Sequence, residues 1–390
     1  MTIACAALFL LLSTFHCPPR SESNNTPQNG GYGFGLDDRD VLLYLEAVAR
    51  IKKEAAFIDA DTTRETIIHD TLKAYLLQQD PFADYLTRAE LRRLRETQNE
   101  TYVGIGMEVS RDRQGRLLCI PYPNSAAQHA GITTGDELKR VDGVAVDGKS
   151  PLAVATMARG KAGSQLSLVV LTQDGEEKLV RVTRTATVTE SVVTLRVEKQ
   201  PVIKIAFFTR STKKELQHAL RDWRDSAPIV IDLRGNAGGD LHAAIDAAKL
   251  FLPPGRRVAS LITRTGTKEY ESGRSAPHVN SPVYLWQDGE TASAAEVFVA
   301  ALTENGRAVS IGTNTAGKGT RQDIIELSDG SGLVMTTGEV RTPLGHRYHG
   351  KGQSPTYELK AERPEQGQYV AKTQELIVRK REHSARPIAQ

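Results

Sequence analysis

Ser293 and Lys318, which lie 25 residues apart, are the side chains of this sequence best suited to chemistry. Ser293 lies in the run GETASAAE, at the expected start of a helix, where unpaired main-chain N–H groups can stabilise a developing negative charge. Lys318 lies in the run GTNTAGKGT, between two glycines that predict a tight turn after an apolar strand. A serine hydroxyl that gives its proton to a neutral lysine can attack an amide carbonyl. The pair therefore suggests acyl transfer as the reaction.

Each residue also has a plainer interpretation. Ser293 and Glu296 match a capping box, in which the serine only begins the helix. The run GTNTAGKGT nearly matches a phosphate-binding loop, but Gly319 stands where such loops need a Ser or Thr for Mg²⁺. Residues 321–327 also predict a strand, whereas a phosphate-binding loop continues into a helix. Nucleotide binding is therefore the weaker alternative, and a lysine on an exposed turn is the plainest one.

A third motif, DLRGNAGG at residues 232–239, follows an apolar strand and precedes a helix. Glycine-rich turns of this kind present main-chain N–H groups to anions. No Gly-x-Ser-x-Gly sequence surrounds Ser293, and among the histidines only His346 and His349 form a weak pair at metal-ligand spacing. A lysine base is therefore a simpler partner for Ser293 than a histidine triad. Neither a metal nor a cofactor is expected.

Three regions of different pattern carry and flank these motifs. Residues 40–99 repeat apolar side chains at helical spacing, and Thr87 with Glu90 is suited to open one of the helices as a capping box. From residue 102 short strands and turns continue for about 85 residues, which predicts a small β-rich domain. From residue 192 strands and helices alternate, which predicts a mixed α/β core. The expected strands of this core are 203–209, 228–233, 282–286 and 308–312, and its expected helices are 213–223, 241–251 and 294–304.

Composition indicates a soluble chain of two or three domains. The 390 residues are 39% hydrophobic and 25% charged, and the net charge of +3 leaves no basic footprint for nucleic acid. The apolar run at residues 3–15 is too short to span a bilayer and predicts a leader for export. A buried helix and a lipid-modified Cys17 are the alternatives. Cys119 lies in an apolar stretch and is expected in a core.

Taken in order, the motifs resemble those of the carboxyl-terminal processing (tail-specific) peptidase family, which are serine peptidases with a Ser-Lys dyad and a PDZ domain. DLRGNAGG resembles the family's DLRGNPGG, ETASAAE its GSASASE or GTASASE, and TAGKGTRQ its TFGKGTVQ. RTPLGHRYHGKGQSP resembles YTPSGRSIQGKGITP. The departures are Ala237 in place of a proline and Ala295 in place of a second serine. The resemblance covers residues 41–359.

The resemblance implies roles for individual residues of the core. The family's nucleophile falls on Ser293, its general base on Lys318, and the glutamine grouped with them on Gln322. Main-chain N–H groups at Gly238 and Ala294 would receive the oxyanion. No Asp or Glu is expected as a close partner of Lys318, because a carboxylate would hold the amine in its charged form.

The β-rich region resembles the PDZ domain of the same family. NSAAQHAGITTGDELKRVDGVAV resembles GSPAEKAGIKPGDVILKVDGKDV. The carboxylate-binding loop falls on Gly104, Ile105, Gly106 and Met107, whose main-chain amides would hold the terminal carboxylate of a substrate. The implied partners are proteins or peptides with an exposed C-terminal tail.

Together these features predict a multidomain chain of the α+β and α/β classes that acts as an exported serine endopeptidase, periplasmic or membrane-associated. Its expected segments are a leader at 1–17, a tether at 18–39, a helical N-terminal region at 40–99, a PDZ domain at 100–187, a mixed α/β peptidase core at 188–360 and a polar extension at 361–390.

Partners other than substrates are less constrained. A homodimer or higher homo-oligomer stays open, because short helices ahead of a core often pack against another subunit. Nucleic acid is not expected as a partner, and a membrane only through an N-terminal anchor. The rival function is a catalytically silent PDZ adaptor on the same fold. The presence of Ser293, Lys318 and Gln322 argues against it.

Overall fold

A computed structural model describes most of the chain from residue 38 to residue 385. The residues it leaves out between these limits are 57–61, 81, 100–102, 112–114, 123–124, 150, 187–189, 199, 222, 224–226, 274–278 and 362–363. The expected leader and nearly all of the tether lie outside the described residues. The described chain forms two compact units, one of residues 92–322 and 336–385 and the other of residues 38–91 and 323–335.

The smaller unit contains two helices and a short strand, namely α1 (Asp38–Glu54), α2 (Arg64–Gln79) and β1 (Asp84–Leu86). Thr63 caps α2, because its side chain accepts a hydrogen bond from the N–H of Thr66. β1 pairs antiparallel with residues 332–334. The pattern of residues 40–99 predicts helices alone, so this strand is a correction. Its three residues form a strand because a distant segment of the chain pairs with them.

The third helix, α3 (Arg88–Asn99), begins at the predicted capping box. The N–H of Thr87 donates to Oε2 of Glu90 at 2.9 Å, and the N–H of Glu90 donates to the hydroxyl of Thr87 at 3.3 Å. Two N–H groups that have no partner within the helix are satisfied in this way.

A β-rich region follows. Its elements are β2 (Val103–Gly104), β3 (Met107–Arg111), β4 (Leu117–Pro121), α4 (Ala126–His129), β5 (Glu137–Val141), β6 (Val144–Ala145), α5 (Pro151–Ala158), β7 (Gln165–Leu171), β8 (Glu177–Thr183) and β9 (Thr185–Ala186). The main sheet has the order β3-β4-β5-β7-β8, with β6 beside β5, and β2 pairs with β9. All of these pairs are antiparallel. The region has an apolar core of its own, which includes Cys119 as expected.

Strands and helices then alternate, as the sequence predicts. The elements are β10 (Val192–Val197), β11 (Gln200–Ile205), α6 (Thr212–Arg221), β12 (Ile229–Asp232), α7 (Leu241–Ala248), β13 (Arg257–Thr263), β14 (Gly266–Glu271), β15 (Val283–Gln287), α8 (Ala294–Glu304), β16 (Ala308–Gly312), β17 (Thr320–Glu326), β18 (Gly332–Arg341), β19 (Tyr357–Glu358) and α9 (Gln366–Ala385).

The central sheet has the order β10-β11-β12-β15-β16-β19. Its strands from β11 to β19 are parallel, and β10 is an antiparallel edge. Residues of α6, α7 and α8 form the core on one face of the sheet, and residues of α9 belong to a second apolar cluster with Val230, Trp286 and Ile311. Every residue of β12 and β15 is buried, because both faces of these strands are covered.

A second set of strands in the core is not predicted by the sequence pattern. β13 and β14 form an antiparallel hairpin, and β13 also pairs with residues 338–341 of β18. β14 is polar and buries only Tyr270, so it lacks the apolar alternation by which a strand is recognised.

Candidate active site

Three loops that leave adjacent parallel strands meet at one edge of the central sheet. They follow β12, β15 and β16, whose carboxyl ends lie side by side. The first loop carries DLRGNAGG, the second ETASAAE and the third TAGKGT. Ala237, Ala292 and Ala316, one from each loop, pack together in one apolar cluster. The sheet topology therefore assembles motifs that are distant in sequence.

Ser293 immediately precedes α8 in a strained main-chain conformation. Its φ is 54° and its ψ is −119°, a combination that residues with a Cβ seldom adopt. The other described non-glycine residues with positive φ, Asp142 and Glu198, lie at turns between antiparallel strands. Ser293 is instead buried, with 3% of its surface exposed. Such strain persists only where the surroundings enforce it and is concentrated at functional sites.

The carboxylate of Glu296 joins the serine loop to the lysine loop. Its Oε2 accepts hydrogen bonds from the N–H of Ser293 at 2.9 Å and from the N–H of Lys318 at 2.8 Å. Its Oε1 accepts from the N–H of Gly317 at 2.8 Å and from the hydroxyl of Thr315 at 2.5 Å. Burial raises the pKa of Glu296 to about 7, although these four hydrogen bonds lower it. The capping-box glutamate therefore also positions the lysine.

The side chain of Lys318 is enclosed by protein, with 2% of the residue exposed, so it is not the lysine of an exposed turn. Burial lowers the pKa of its amine, because the charged form loses its hydration. Glu108 and Glu296 act in the opposite direction and raise that pKa. No Asp or Glu was expected as a close partner of Lys318, yet the charges of these two carboxylates act on its amine. This action of Glu108 on a residue 210 positions later depends on tertiary packing, because Glu108 belongs to a strand of the β-rich region.

The DLRGNAGG loop lies directly against the serine. A Cβ on Gly238 would lie 2.7 Å from the Cβ of Ser293, so this approach requires glycine. The buried amide of Asn236 holds the loop in place. Its Nδ2 donates to the carbonyl of Ile205 at 2.9 Å, and its Oδ1 accepts from the N–H of Gly238 at 2.8 Å. Its main-chain carbonyl accepts from the N–H of Ala292 at 2.9 Å.

The two expected oxyanion donors differ in their surroundings. Ala294 is the first residue of α8, where N–H groups have no acceptor within the helix. The N–H of Gly238 already donates to Asn236. The oxyanion role stays a prediction for both residues, and at Gly238 it requires this bond to be shared or exchanged.

Gln322 lies on β17 and is buried, with 7% of its surface exposed. Its Nε2 donates to the hydroxyls of Thr320 at 3.0 Å and Thr336 at 3.1 Å. These two bonds fix the plane of the amide. Its expected role in orienting Lys318 stays a prediction.

The expected carboxylate-binding loop runs from Gly104, at the end of β2, to Met107, at the start of β3. The side chains of Ile105 and Met107 are buried in the apolar core of the β-rich region. Gly106 has a φ of +69°, and a Cβ there would lie 2.5 Å from that of Ser125. Any role of this loop in holding a ligand would therefore fall to its main chain, and that role stays a prediction.

Two alternatives raised by the sequence, a phosphate-binding loop at Lys318 and a metal pair of His346 and His349, find little support in the geometry. Lys318 is followed by β17 where a phosphate-binding loop needs a helix, and the N–H of Gly317 is turned toward Glu296. His346 contacts the carboxylate of Glu304 at 3.0 Å. Within the part of the chain that the structure describes, no group of three or more His, Cys, Asp or Glu side chains is arranged to hold a metal.

Sequence reasoning missed three contributors to the site. Asn236 lies inside the DLRGNAGG motif. A polar side chain in a turn that is expected to be buried must form hydrogen bonds, and this was the available signal. Glu296 was recognised only as a helix cap. The signal for Glu108 was weaker. It is a charged residue between two apolar residues of a strand, Met107 and Val109.

Comparison with known proteins places this geometry in a family. Residues 200–359 match peptidase family S41. The chain is 31% identical over 329 residues to the "Probable CtpA-like serine protease" of Staphylococcus aureus strain COL. The alignment covers 83% of this chain and 66% of the relative. It is also 31% identical over 291 residues to the carboxy-terminal processing protease CtpA of Bacillus subtilis strain 168. That alignment covers 73% of this chain and 62% of the relative. This chain belongs to peptidase family S41. Its resemblance to carboxyl-terminal processing peptidases is thereby confirmed.

The similarity of this S41 chain extends to its three-dimensional structure. The photosystem II D1 C-terminal processing protease matches it with a TM-score of 0.65 at 26% identity, covering 82% of this chain and 92% of that one. The matched S41 span contains the three loops of the site, with Ser293, Lys318 and Gln322. The chain spans 66% and 60% of the length of the first two curated relatives that it matches.

Proposed function

We propose that the protein is a serine endopeptidase in which Ser293 is the nucleophile and Lys318 the general base. The observation that carries this proposal is the shared carboxylate oxygen of Glu296, which ties the main chain of the strained serine to that of the buried lysine. A lysine that served only solubility would not be enclosed to 2% exposure beside such a serine.

The reaction would proceed in two halves. The Oγ of Ser293 attacks the carbonyl carbon of the scissile peptide bond while its proton passes to the neutral amine of Lys318. The resulting oxyanion is stabilised by main-chain N–H groups such as that of Ala294. Collapse of this intermediate breaks the C–N bond, and the proton on Lys318 passes to the leaving amine. A water molecule then attacks the carbonyl carbon of the acyl-enzyme and gives a proton to Lys318. Collapse of this second intermediate breaks the bond from carbon to Oγ, the proton on Lys318 returns to Oγ of Ser293, and the new carboxylic acid leaves.

Lys318 must be neutral to act in this way. With an ordinary pKa of about 10.4, fewer than about one lysine in a thousand is neutral at pH 7. Burial lowers the pKa of Lys318, which increases the neutral fraction. Gln322 suits the task of orienting the amine, because its Nε2 is held by Thr320 and Thr336 and an amide adds no charge.

The substrate would be a protein or peptide held by its C-terminal tail. In this proposal the β-rich region acts as a PDZ domain, and the main-chain N–H groups around Gly104–Gly106 receive the terminal carboxylate. The names of the relatives, which refer to carboxy-terminal processing, support this assignment. The tail would then extend as an added strand, a mode that uses main-chain hydrogen bonds for affinity.

The cellular location belongs to the same proposal. The apolar run at residues 3–15 supports export, with periplasmic or membrane-associated action. Among the described helices, none combines the length and apolar character needed to cross a membrane.

The direct test uses a loosely folded protein with an apolar C-terminus as substrate. Wild-type protein should cleave it, and Ser293→Ala should bind it without cleavage. A wild-type protein that binds the substrate but never cleaves it would support the rival function of a silent adaptor. Equal cleavage by wild type and Ser293→Ala would exclude the proposed nucleophile.

A further inference from the structure

Glu108 lies on the face of β3 that points away from the core of its own region. Its neighbours in sequence, Met107 and Val109, are both buried in that apolar core. Since successive side chains of a strand point to opposite faces, the carboxyl of Glu108 points the other way. It is nevertheless buried, with 7% of the residue exposed. Another part of the protein must therefore cover it.

The register of the β3–β4 pair identifies what covers Glu108. Glu108 lies directly opposite Ile120 on β4, so the two side chains share one face of the sheet. Ile120 packs against Ala237 and Ala292, which belong to two of the three loops of the site. The same cluster contains Ala316, two residues before Lys318. The face that carries Glu108 is therefore the face that closes over the catalytic loops.

Neither carboxyl oxygen of Glu108 has a hydrogen-bond partner within the described part of the chain. Burying such a group without partners is costly, and more so when it is ionised. The charge that acts on it is that of Lys318. Among the described residues, other titratable groups around the lysine loop include Glu296, whose oxygens accept from four donors, and the buried hydroxyl of Tyr348. His349 lies there too, and its ring accepts from the N–H of Gly319.

We propose that Glu108 is a positioning residue for the general base, which holds a proton on Lys318 and so sets the lower pH limit of peptide cleavage. The proposal rests on the Ser293–Lys318 mechanism given above. Glu108 neither touches the scissile bond nor accepts the serine proton. It acts through the charge that it places beside the amine.

The direction of the effect follows from electrostatics. An ionised Glu108 stabilises the ammonium form of Lys318, and a protonated Glu108 leaves it nearly unaffected. In either protonation state of Glu108, the protonated fraction of Lys318 in the wild type is therefore at least as large as in Glu108→Gln, where an uncharged amide replaces the carboxyl. Burial raises the pKa of Glu108, so the carboxyl ionises in the same pH range in which the lysine loses its proton. The two groups therefore titrate as a pair.

The test is the pH dependence of kcat/KM for Glu108→Gln, which removes the charge and keeps the size of the side chain. The acid limb of the profile should move to lower pH by about one unit, which is about a tenfold gain well below the limb. The plateau at high pH should stay within about twofold of wild type. Glu177→Gln, at an exposed position of the same region, is the matched control and should leave the profile unchanged. An unshifted acid limb in Glu108→Gln, or a loss of activity that is uniform across pH, would overturn the proposal.

A second readout does not depend on activity. In the Ser293→Ala background, NMR of isotope-labelled lysine should give a lower apparent pKa for Lys318 when Glu108→Gln is added. An unchanged apparent pKa of Lys318 would overturn the role of Glu108. This conclusion would hold even if Ser293→Ala is inactive, a result that supports the Ser293–Lys318 mechanism. Full activity of Ser293→Ala would instead refute the dyad itself. If Glu108→Gln fails to fold, Glu108→Met serves for the same comparison, because it keeps the chain length without the charge.

Discussion

The main-chain N–H groups of Ser293 and Lys318 donate to the same atom, Oε2 of Glu296, at 2.9 and 2.8 Å. One carboxylate oxygen thus fixes the positions of two residues that come from different loops. The other oxygen binds Gly317 and Thr315, so the whole lysine loop is hydrogen-bonded to the first turn of α8. Since a displacement of about 1 Å can cost a reaction about 100-fold, this tie matters for any chemistry between the two side chains.

Replacing Gly238 with alanine should abolish most of the activity. The new Cβ would lie 2.7 Å from the Cβ of Ser293 and 2.9 Å from the carbonyl oxygen of Ala292, so the serine has to move. We expect kcat/KM to fall by about 100-fold or more. Gly235→Ala is the matched control. Gly235 also has positive φ, but its Cβ would meet only a side-chain oxygen of Glu290 at 3.6 Å.

Both variants place an alanine at positive φ, which strains the main chain and should lower the melting temperature of each. A loss of activity found only in Gly238→Ala is then due to the displacement of Ser293 and not to this strain. Gly235→Ala should be less stable than wild type and retain most of its kcat/KM at a temperature where it is folded. Equal losses of activity in the two variants would show that the contact of Gly238 with Ser293 has no special role.

How far the sequence predicted the structure differed between elements. The predicted helix 294–304 and strand 308–312 are found as α8 and β16, because continuous apolar runs between glycines leave few alternatives. β1 and β14 were missed, because one is three residues long and the other is polar. Both depend on pairing with distant strands, which no local pattern encodes.

The site shows the same division. The motifs pointed to Ser293 and Lys318, because both residues follow apolar strands and a parallel sheet collects its loops at the carboxyl ends of its strands. The sequence did not show that Lys318 is buried or that the charge of Glu108 acts on its amine. The alternation of β3 indicates that Glu108 points away from its own core, but which surface covers that face depends on tertiary packing.

Removing the buried amine should stabilise the protein at neutral pH. The pKa of Lys318 is lower in the folded protein than in the unfolded chain. The contribution of Lys318 to the free energy of unfolding is therefore highest when the pH is above the unfolded-state pKa, and it is lost as the pH falls below it. Lys318→Met should therefore melt at a higher temperature than its parent at pH 7, with a difference that shrinks toward pH 10. The comparison is best made in the Glu108→Gln background, where the carboxyl does not titrate. A gain in melting temperature that is constant across this range would contradict the lowered pKa.

The choice of substrate should depend on the terminal carboxylate. A substrate with a free carboxylate after small or apolar residues should be cleaved faster than the same substrate amidated or ending in Asp-Asp, because amidation removes the charge that the main-chain amides would bind. Gly106→Ala should reduce this preference, since its Cβ would lie 2.5 Å from that of Ser125. Gly143→Ala has positive φ but open space around it and serves as the control. Equal rates for the three tails would mean that the loop does not select substrates in this way.

The most direct test of the Ser293–Lys318 mechanism is to identify the residue that a serine-directed fluorophosphonate modifies, by peptide mass spectrometry, together with the rate of modification. The label should be found on Ser293, and its rate should rise with pH as Lys318 loses its proton. Lys318→Arg should react at least about 100-fold more slowly at every pH tested, because a guanidinium keeps its proton, while melting shows that the variant is folded. A label on a different residue, or undiminished labelling of Ser293 in folded Lys318→Arg, would contradict the mechanism.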